Sequence, residues 1–210
     1  RIYPSSPEYR IASTFGRFNY YYDQRYLVTA VFRQDAVSSL AKENRKGFFP
    51  GMSAGWNVHN ENFYQDLGLN QYVSTLKPRI SYGENGNVAG LGRYEVQGGY
   101  GNQGLYNGNS GFLNTGIINS GLQWEKSKTV DVGIDLGFLR NRITLIFDYY
   151  DRKTSDLLTN LALPGYTGFN SIRTNLGTYQ NKGYEFTLNA TVLNQPNGLK
   201  LDVGANASFL

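Results

Sequence analysis

The residues best equipped for chemistry are a scattered set of charges: the carboxylates Asp131, Asp135, Glu185 and Asp202, and the bases Arg33, Lys77, Arg79 and Lys200. To act as a hydrolase they would need a base within hydrogen-bond reach of a nucleophile, or a carboxylate pair flanking a substrate. The chain has one histidine, His59, and no cysteine, so thiol chemistry and a disulfide framework are excluded. His59 falls in a connection between predicted strands and reads as a loop residue. Gly99-Tyr100-Gly101-Asn102-Gln103-Gly104 has the spacing of a dinucleotide fingerprint. That reading needs a strand before it and an apolar helix after it. The next residues, Leu105-Tyr-Asn-Gly-Asn-Ser-Gly111, cannot make such a helix. No catalytic residue, cofactor site or metal site is assigned.

Strand periodicity organises these charges. From Thr129 to Phe138, Val130, Val132, Ile134, Leu136 and Phe138 alternate with Thr129, Asp131, Gly133, Asp135 and Gly137. The chain turns over Leu139 to Arg142 and returns from Ile143 to Asp151. Side chains alternate across a strand, so this hairpin has one greasy face and one that is charged or tiny. A helix would scatter the five apolar residues and bury two glycines. The arms are about ten residues, the length that crosses a bilayer at a steep tilt. Carboxylates and glycines opposite Val, Ile, Leu and Phe suit a water-filled lumen behind a lipid face. From this hairpin alone, a soluble sandwich is the alternative.

Composition narrows the choice. The 210 residues include 17 Tyr, 12 Phe and 25 Gly, with net charge +4, pI about 9.1 and mean hydropathy −0.44. That charge is mild for the length, so no nucleic-acid partner is expected. No run of 18 apolar residues exists, which excludes a spanning helix but not a spanning barrel. The sequence begins at Arg1 without an apolar leader, so a processed or cropped piece is expected. About eight strands recur, near residues 12–22, 25–35, 48–58, 75–83, 129–138, 143–151, 184–192 and 199–209. Pro50 inside the third argues against a central position there. Asn60 to Leu67 can form one or two helical turns, and Asn194 to Gly198 is a turn by its chemistry. Connections are short after strands one, five and seven, and middling after three. Long ones, at 36–47, 84–126 and 154–182, come after two, four and six. The stretch 84–126 looks too rich in Gly, Asn, Tyr and Gln to build a core. Barrel membrane proteins have short periplasmic turns and long extracellular loops, whereas a sandwich has no reason to keep its long loops at one end.

In several segments the sequence resembles the SusC/RagA type of TonB-dependent outer-membrane transporters of Bacteroidetes. The resemblance is carried by Tyr26-Leu-Val-Thr-Ala-Val-Phe-Arg33, Gly47-Phe-Phe-Pro-Gly-Met-Ser-Ala-Gly-Trp56, Leu76-Lys-Pro-Arg-Ile-Ser-Tyr-Gly83 with Asn85-Gly-Asn87, and Leu122-Gln-Trp-Glu-Lys126. Asp135-Leu-Gly-Phe-Leu-Arg-Asn-Arg-Ile143, Asp148-Tyr-Tyr-Asp-Arg-Lys-Thr-Ser-Asp-Leu-Leu158 and Asn181-Lys-Gly-Tyr-Glu-Phe186 complete the set. It implies an all-β segment, towards the C-terminal side, of a large antiparallel transmembrane β-barrel: about eight of an expected 22 strands, with the plug and TonB box outside this range.

By resemblance, the whole protein imports nutrient oligomers, either oligosaccharides or oligopeptides, across the cell outer membrane and has no enzymatic activity. Its implied partners are a SusD-like surface lipoprotein and, through the absent plug, TonB. On this reading Val130, Val132, Ile134, Leu136, Leu188 and Val203 face lipid. Arg33, Lys77, Arg79, Asp131, Asp135, Glu185, Lys200 and Asp202 face the lumen, where cross-strand pairing alone could account for each of them. Tyr94, Tyr100, Tyr106, Phe112 and Trp124 are candidates for touching cargo or lid; packing of the loops or marking of the membrane interface is the plainer role. Asn189-Ala-Thr191 and Asn206-Ala-Ser208 match glycosylation sequons but lie in strands. Two other readings remain: a complete small outer-membrane barrel with a structural or adhesion role, and a soluble β-sandwich carbohydrate-binding module.

Overall fold

The computed structural model describes residues 8–194 and 198–210, the side chains of Gln103 and Tyr106 excepted. In chain order the strands are β1 (Ile11–Tyr22), β2 (Tyr26–Val37), β3 (Lys46–Trp56), β4 (Val73–Asn87), β5 (Tyr100–Tyr106), β6 (Asn109–Asn114), β7 (Glu125–Phe138), β8 (Ile143–Ser155), β9 (Leu158–Ala162), β10 (Ser171–Asn175), β11 (Thr178–Asn194) and β12 (Lys200–Phe209). Eight of them form one sheet in the order β1-β2-β3-β4-β7-β8-β11-β12, every pair antiparallel. The others form two separate hairpins, β5-β6 and β9-β10. Among the described residues β1 and β12 do not pair with each other, so the sheet is open and is not a complete small barrel.

Among the described residues nothing covers the apolar face. Val132 and Leu188 are each 44% exposed and Val203 is 54% exposed, whereas a sandwich would bury them under a second layer. Among the described residues no helix is long and apolar enough to cross a membrane. The short helix α1 (Asn62–Asp66) lies between 3₁₀ turns at Val58–Asn60 and Leu69–Gln71, where the sequence suggested helical turns.

Both prolines of the central strands sit at ladder ends. The β3–β4 ladder runs only from Gly51↔Gly83 to Gly55↔Arg79. Pro50 lies just beyond one end on β3 and Pro78 just beyond the other on β4, as expected for a residue that cannot donate. Past Gly51 the two strands diverge, and the Phe49 ring fills the gap over Gly47 and Gly86. A Cβ at Gly47 or Gly86 would fall 2.4 Å or 1.9 Å from that ring, so both positions need glycine.

The wall strands are longer than the sequence suggested. β4 continues to Asn87, β7 begins at Glu125, β8 reaches Ser155 and β11 begins at Thr178. The three connections expected to be long therefore shrink to 38–45, 88–124 and 156–177, and the first is shorter than 57–72 at the other end of the sheet, which the sequence reads as middling. Ladder hydrogen bonds extend past the apolar stretch because a backbone pair needs no particular side chain, and alternation fades where both faces meet water. The connection 88–124 also contradicts the expectation that it builds no core. Leu122 (1% exposed) and Trp124 (6%) join Val37, Leu40 and Phe49 in the buried cluster, with Val88, Leu91 and Val96 packed against it. The turn expected at 194–198 lies largely outside the described residues.

Candidate functional site

The polar face of the sheet gathers charge around one arginine. The β4–β7 register opposes Lys77 to Asp135, Arg79 to Gly133 and Ser81 to Asp131, while β7–β8 opposes Gly133 to Asp148. Arg79 Nε donates to Asp135 Oδ1 at 3.0 Å, Nη1 to Asp131 Oδ1 at 3.3 Å and Nη2 to Asp148 Oδ2 at 2.8 Å. Lys77 Nζ adds a looser contact of 3.7 Å to Asp135. The fork of five guanidinium donors permits this three-way grip, which a lysine cannot reproduce. Gly133 makes it sterically possible: a Cβ there would lie 2.2 Å from an Asp148 carboxylate oxygen and 2.7 Å from the Arg79 guanidinium carbon.

Four sequence candidates, Lys77, Arg79, Asp131 and Asp135, thus meet in one cluster. Asp148 was missed, although its parity on β8 and its register opposite Gly133 are the signal that finds it. The rest stay apart. Arg33 pairs within its own strand with Asp35 at 2.7 Å, and Lys200 with Asp202 at 3.1 Å, while the Thr191 hydroxyl donates to Asp202 at 2.7 Å. Glu185 stands directly across from Asp148 in the β8–β11 register. Val130, Val132, Ile134, Leu136, Leu188 and Val203 all fall on the opposite, apolar face by register.

The loop aromatics divide. Tyr94, Tyr100 and Phe112 are 47%, 76% and 67% exposed; the Tyr106 side chain lies outside the described residues. Trp124 is buried and so is not placed to touch cargo. Its ring meets Phe49 edge-on at 5.3 Å and its Nε1–H donates to the Arg45 carbonyl at 3.0 Å, which knits the first two long connections together. Asn175 joins the third: its Nδ2 donates to the carbonyls of Gln123 (2.9 Å) and Asp156 (2.8 Å), and its Oδ1 accepts from Gln123 N–H at 2.9 Å.

At the short-turn end, Asp23 and Gln24 adopt positive φ (48° and 52°), the backbone of a tight hairpin turn. His59 Nδ1 lies 3.2 Å from the Leu76 carbonyl oxygen and 3.3 Å from its backbone nitrogen, pinning the α1 segment to β4. Glu61, 8% exposed, accepts from Trp56 Nε1–H at 2.9 Å and Tyr26 Oη–H at 2.8 Å, with Arg25 Nη1 at 3.3 Å. The two donors, with Arg25 adding its charge, hold the Glu61 carboxyl below the usual carboxylate range against the opposing effect of burial. Among the described residues no group of His, Cys, Asp or Glu could hold a metal ion.

A wide two-faced antiparallel sheet with its two longest connections at one end has clear relatives. Residues 2–210 match the family described as TonB dependent receptor-like, beta-barrel. The chain belongs to that family. TonB-dependent receptor P3 of Formosa agariphila is 38% identical over 186 residues, covering 87% of this chain and 18% of the relative. TonB-dependent receptor SusC of Bacteroides thetaiotaomicron is 38% identical over 187 residues, covering 86% and 18%. Among solved structures, the RagAB peptide transporter superposes with a TM-score of 0.84 at 27% identity, covering 96% of this chain and 22% of that one. The chain therefore spans about a fifth of its relatives' length. It is a segment of an outer-membrane β-barrel of that family, and the SusC/RagA resemblance is correct.

Proposed function

We propose that this segment forms part of the wall of a TonB-coupled importer of nutrient oligomers that works with a SusD-like surface lipoprotein. The apolar face meets lipid, the polar face lines the lumen, and the connections 38–45, 88–124 and 156–177 stand outside the cell. The observation that carries this is the uncovered apolar face together with the two longest connections, 88–124 and 156–177, falling at one end, as in spanning barrels. The exposed Tyr94, Tyr100 and Phe112 stand where cargo or lid would arrive. Likeness to a peptide transporter supports import of an oligopeptide, and an oligosaccharide is the other cargo that the SusC/RagA resemblance implies. Mass spectrometry of whatever co-purifies with the full receptor tests this. A surface lipoprotein and a heterogeneous oligomer are expected, and a receptor that carries neither and supports no oligomer uptake refutes it.

A further inference from the structure

Towards the long-loop end the apolar face changes character. By register, Lys126, Lys128, Lys153 and Lys182 share the face of Val130, Val132, Tyr149 and Tyr184 and lie just beyond them on β7, β8 and β11. Lys128 and Lys153 are direct cross-strand partners, an arrangement that repels unless an anion sits between them. Glu84 pairs with Lys128 at 3.2 Å and Asp151 with Lys182 at 3.3 Å. Among the described residues neither Lys126 nor Lys153 has an ion-pair partner. Four ammonium groups against two carboxylates leave a net +2 on the row. At the opposite end of the same face, Tyr22, Tyr26 and Trp56 stack at ring separations of 6.3 Å and carry no charge.

A charge on a lipid-contacting face is costly near the midplane and almost free at the interface. The lysine row therefore marks a headgroup level, and Tyr149 and Tyr184, with rings 5.1 Å apart, form the aromatic step beneath it. We infer that this row docks the headgroup of a net anionic lipid in the leaflet on the long-loop side. This rests on the proposed reading in which the apolar face meets lipid and the long loops are extracellular. The net +2 complements a headgroup of net negative charge, and Lys126 and Lys153, which have no ion-pair partner among the described residues, are the groups left to hold it.

The test uses the full receptor, native and carrying Lys126→Gln with Lys153→Gln. Retained dioleoylphosphatidylglycerol is compared with dioleoylphosphatidylcholine by native mass spectrometry. The native receptor is expected to favour the anionic lipid. At about fivefold per ammonium near a membrane surface, the double variant should lose roughly 25-fold of that preference. Equal retention of both lipids by the native receptor, or an unchanged preference in the variant, overturns the inference. Heat-shifted electrophoretic mobility shows that both receptors are folded. An epitope inserted beside Tyr166, which is 90% exposed, separates the two readings on intact cells. An inaccessible epitope sinks the orientation, whereas an accessible one with unchanged lipid preference sinks the lysine row alone.

Discussion

Arginine placed stepwise along the apolar face of β7 should cost more the further it lies from the lysine row. Val130, Val132 and Ile134 are two, four and six residues from Lys128 on that strand. At about 3.3 Å per residue and a tilt of about 40°, each two-residue step descends roughly 5 Å. With Lys128 at headgroup level, the three side chains sit about 5, 10 and 15 Å into a hydrocarbon layer roughly 30 Å thick. An outward arginine costs about 2–4 kcal/mol at the midplane and about 0–1 kcal/mol near the interface. Val130→Arg is therefore expected to cost less than about 1 kcal/mol, Val132→Arg about 2 and Ile134→Arg about 2–4. Sterics alone give no such gradient, because among the described residues no protein layer covers this face and Val130 and Val132 are 41% and 44% exposed. Thr129→Asn, on the opposite face, should change little. Equilibrium urea unfolding of the full receptor in phosphatidylcholine vesicles measures each value. Equal costs along the series, or a Thr129→Asn cost rivalling that of Ile134→Arg, would refute lipid contact.

Arg79→Met leaves Asp131, Asp135 and Asp148 facing one another without their shared cation. Loss of about 2–3 kcal/mol is expected in the same urea assay, part of it recovered by adding Asp148→Asn. Glu61 has a depressed carboxyl pKa, so its contribution is present above the ordinary glutamate pKa and is lost as pH falls through the folded-state value. Melting curves from pH 6 down to about 3 should show this acid loss in the native receptor and a flatter profile in Glu61→Gln. Trp124→Ala removes the centre of the loop cluster and its hydrogen bond to Arg45. A local loss of about 3 kcal/mol is expected, read as roughly 100-fold faster limited proteolysis within 88–124 while β7 stays protected.

The alternation in β7 and β8 was legible because a strand's facing depends on residue parity alone, a local property. Five apolar residues at period two, opposed by Asp131, Gly133 and Asp135, already require two unlike environments, and a turn at Leu139–Arg142 requires antiparallel pairing. Seven recognisable segments in order named the family as well, which neither parity nor composition could do. The connection lengths correctly put the two longest, 88–124 and 156–177, at one end, but 38–45 proves shorter than 57–72 at the other.

Which strand residues meet was beyond reach, because register is set by hydrogen bonding between segments far apart in the chain. Arg79 reaches Asp148 across 69 positions, through the space left by Gly133. Asp148 therefore read as an ordinary residue of a returning strand, and Gly133 as merely small. Trp124 could be read as touching cargo, marking the interface or packing the loops, and its polar neighbours did not choose among them. It is buried because Phe49, Val37 and Leu40 arrive from another hairpin, and because Pro50 ends the β3–β4 ladder where that gap opens. The periodic code of this chain fixes which side of the wall a residue faces. Its partner across the wall emerges only when distant strands align, since backbone pairing constrains spacing and says nothing of side-chain identity.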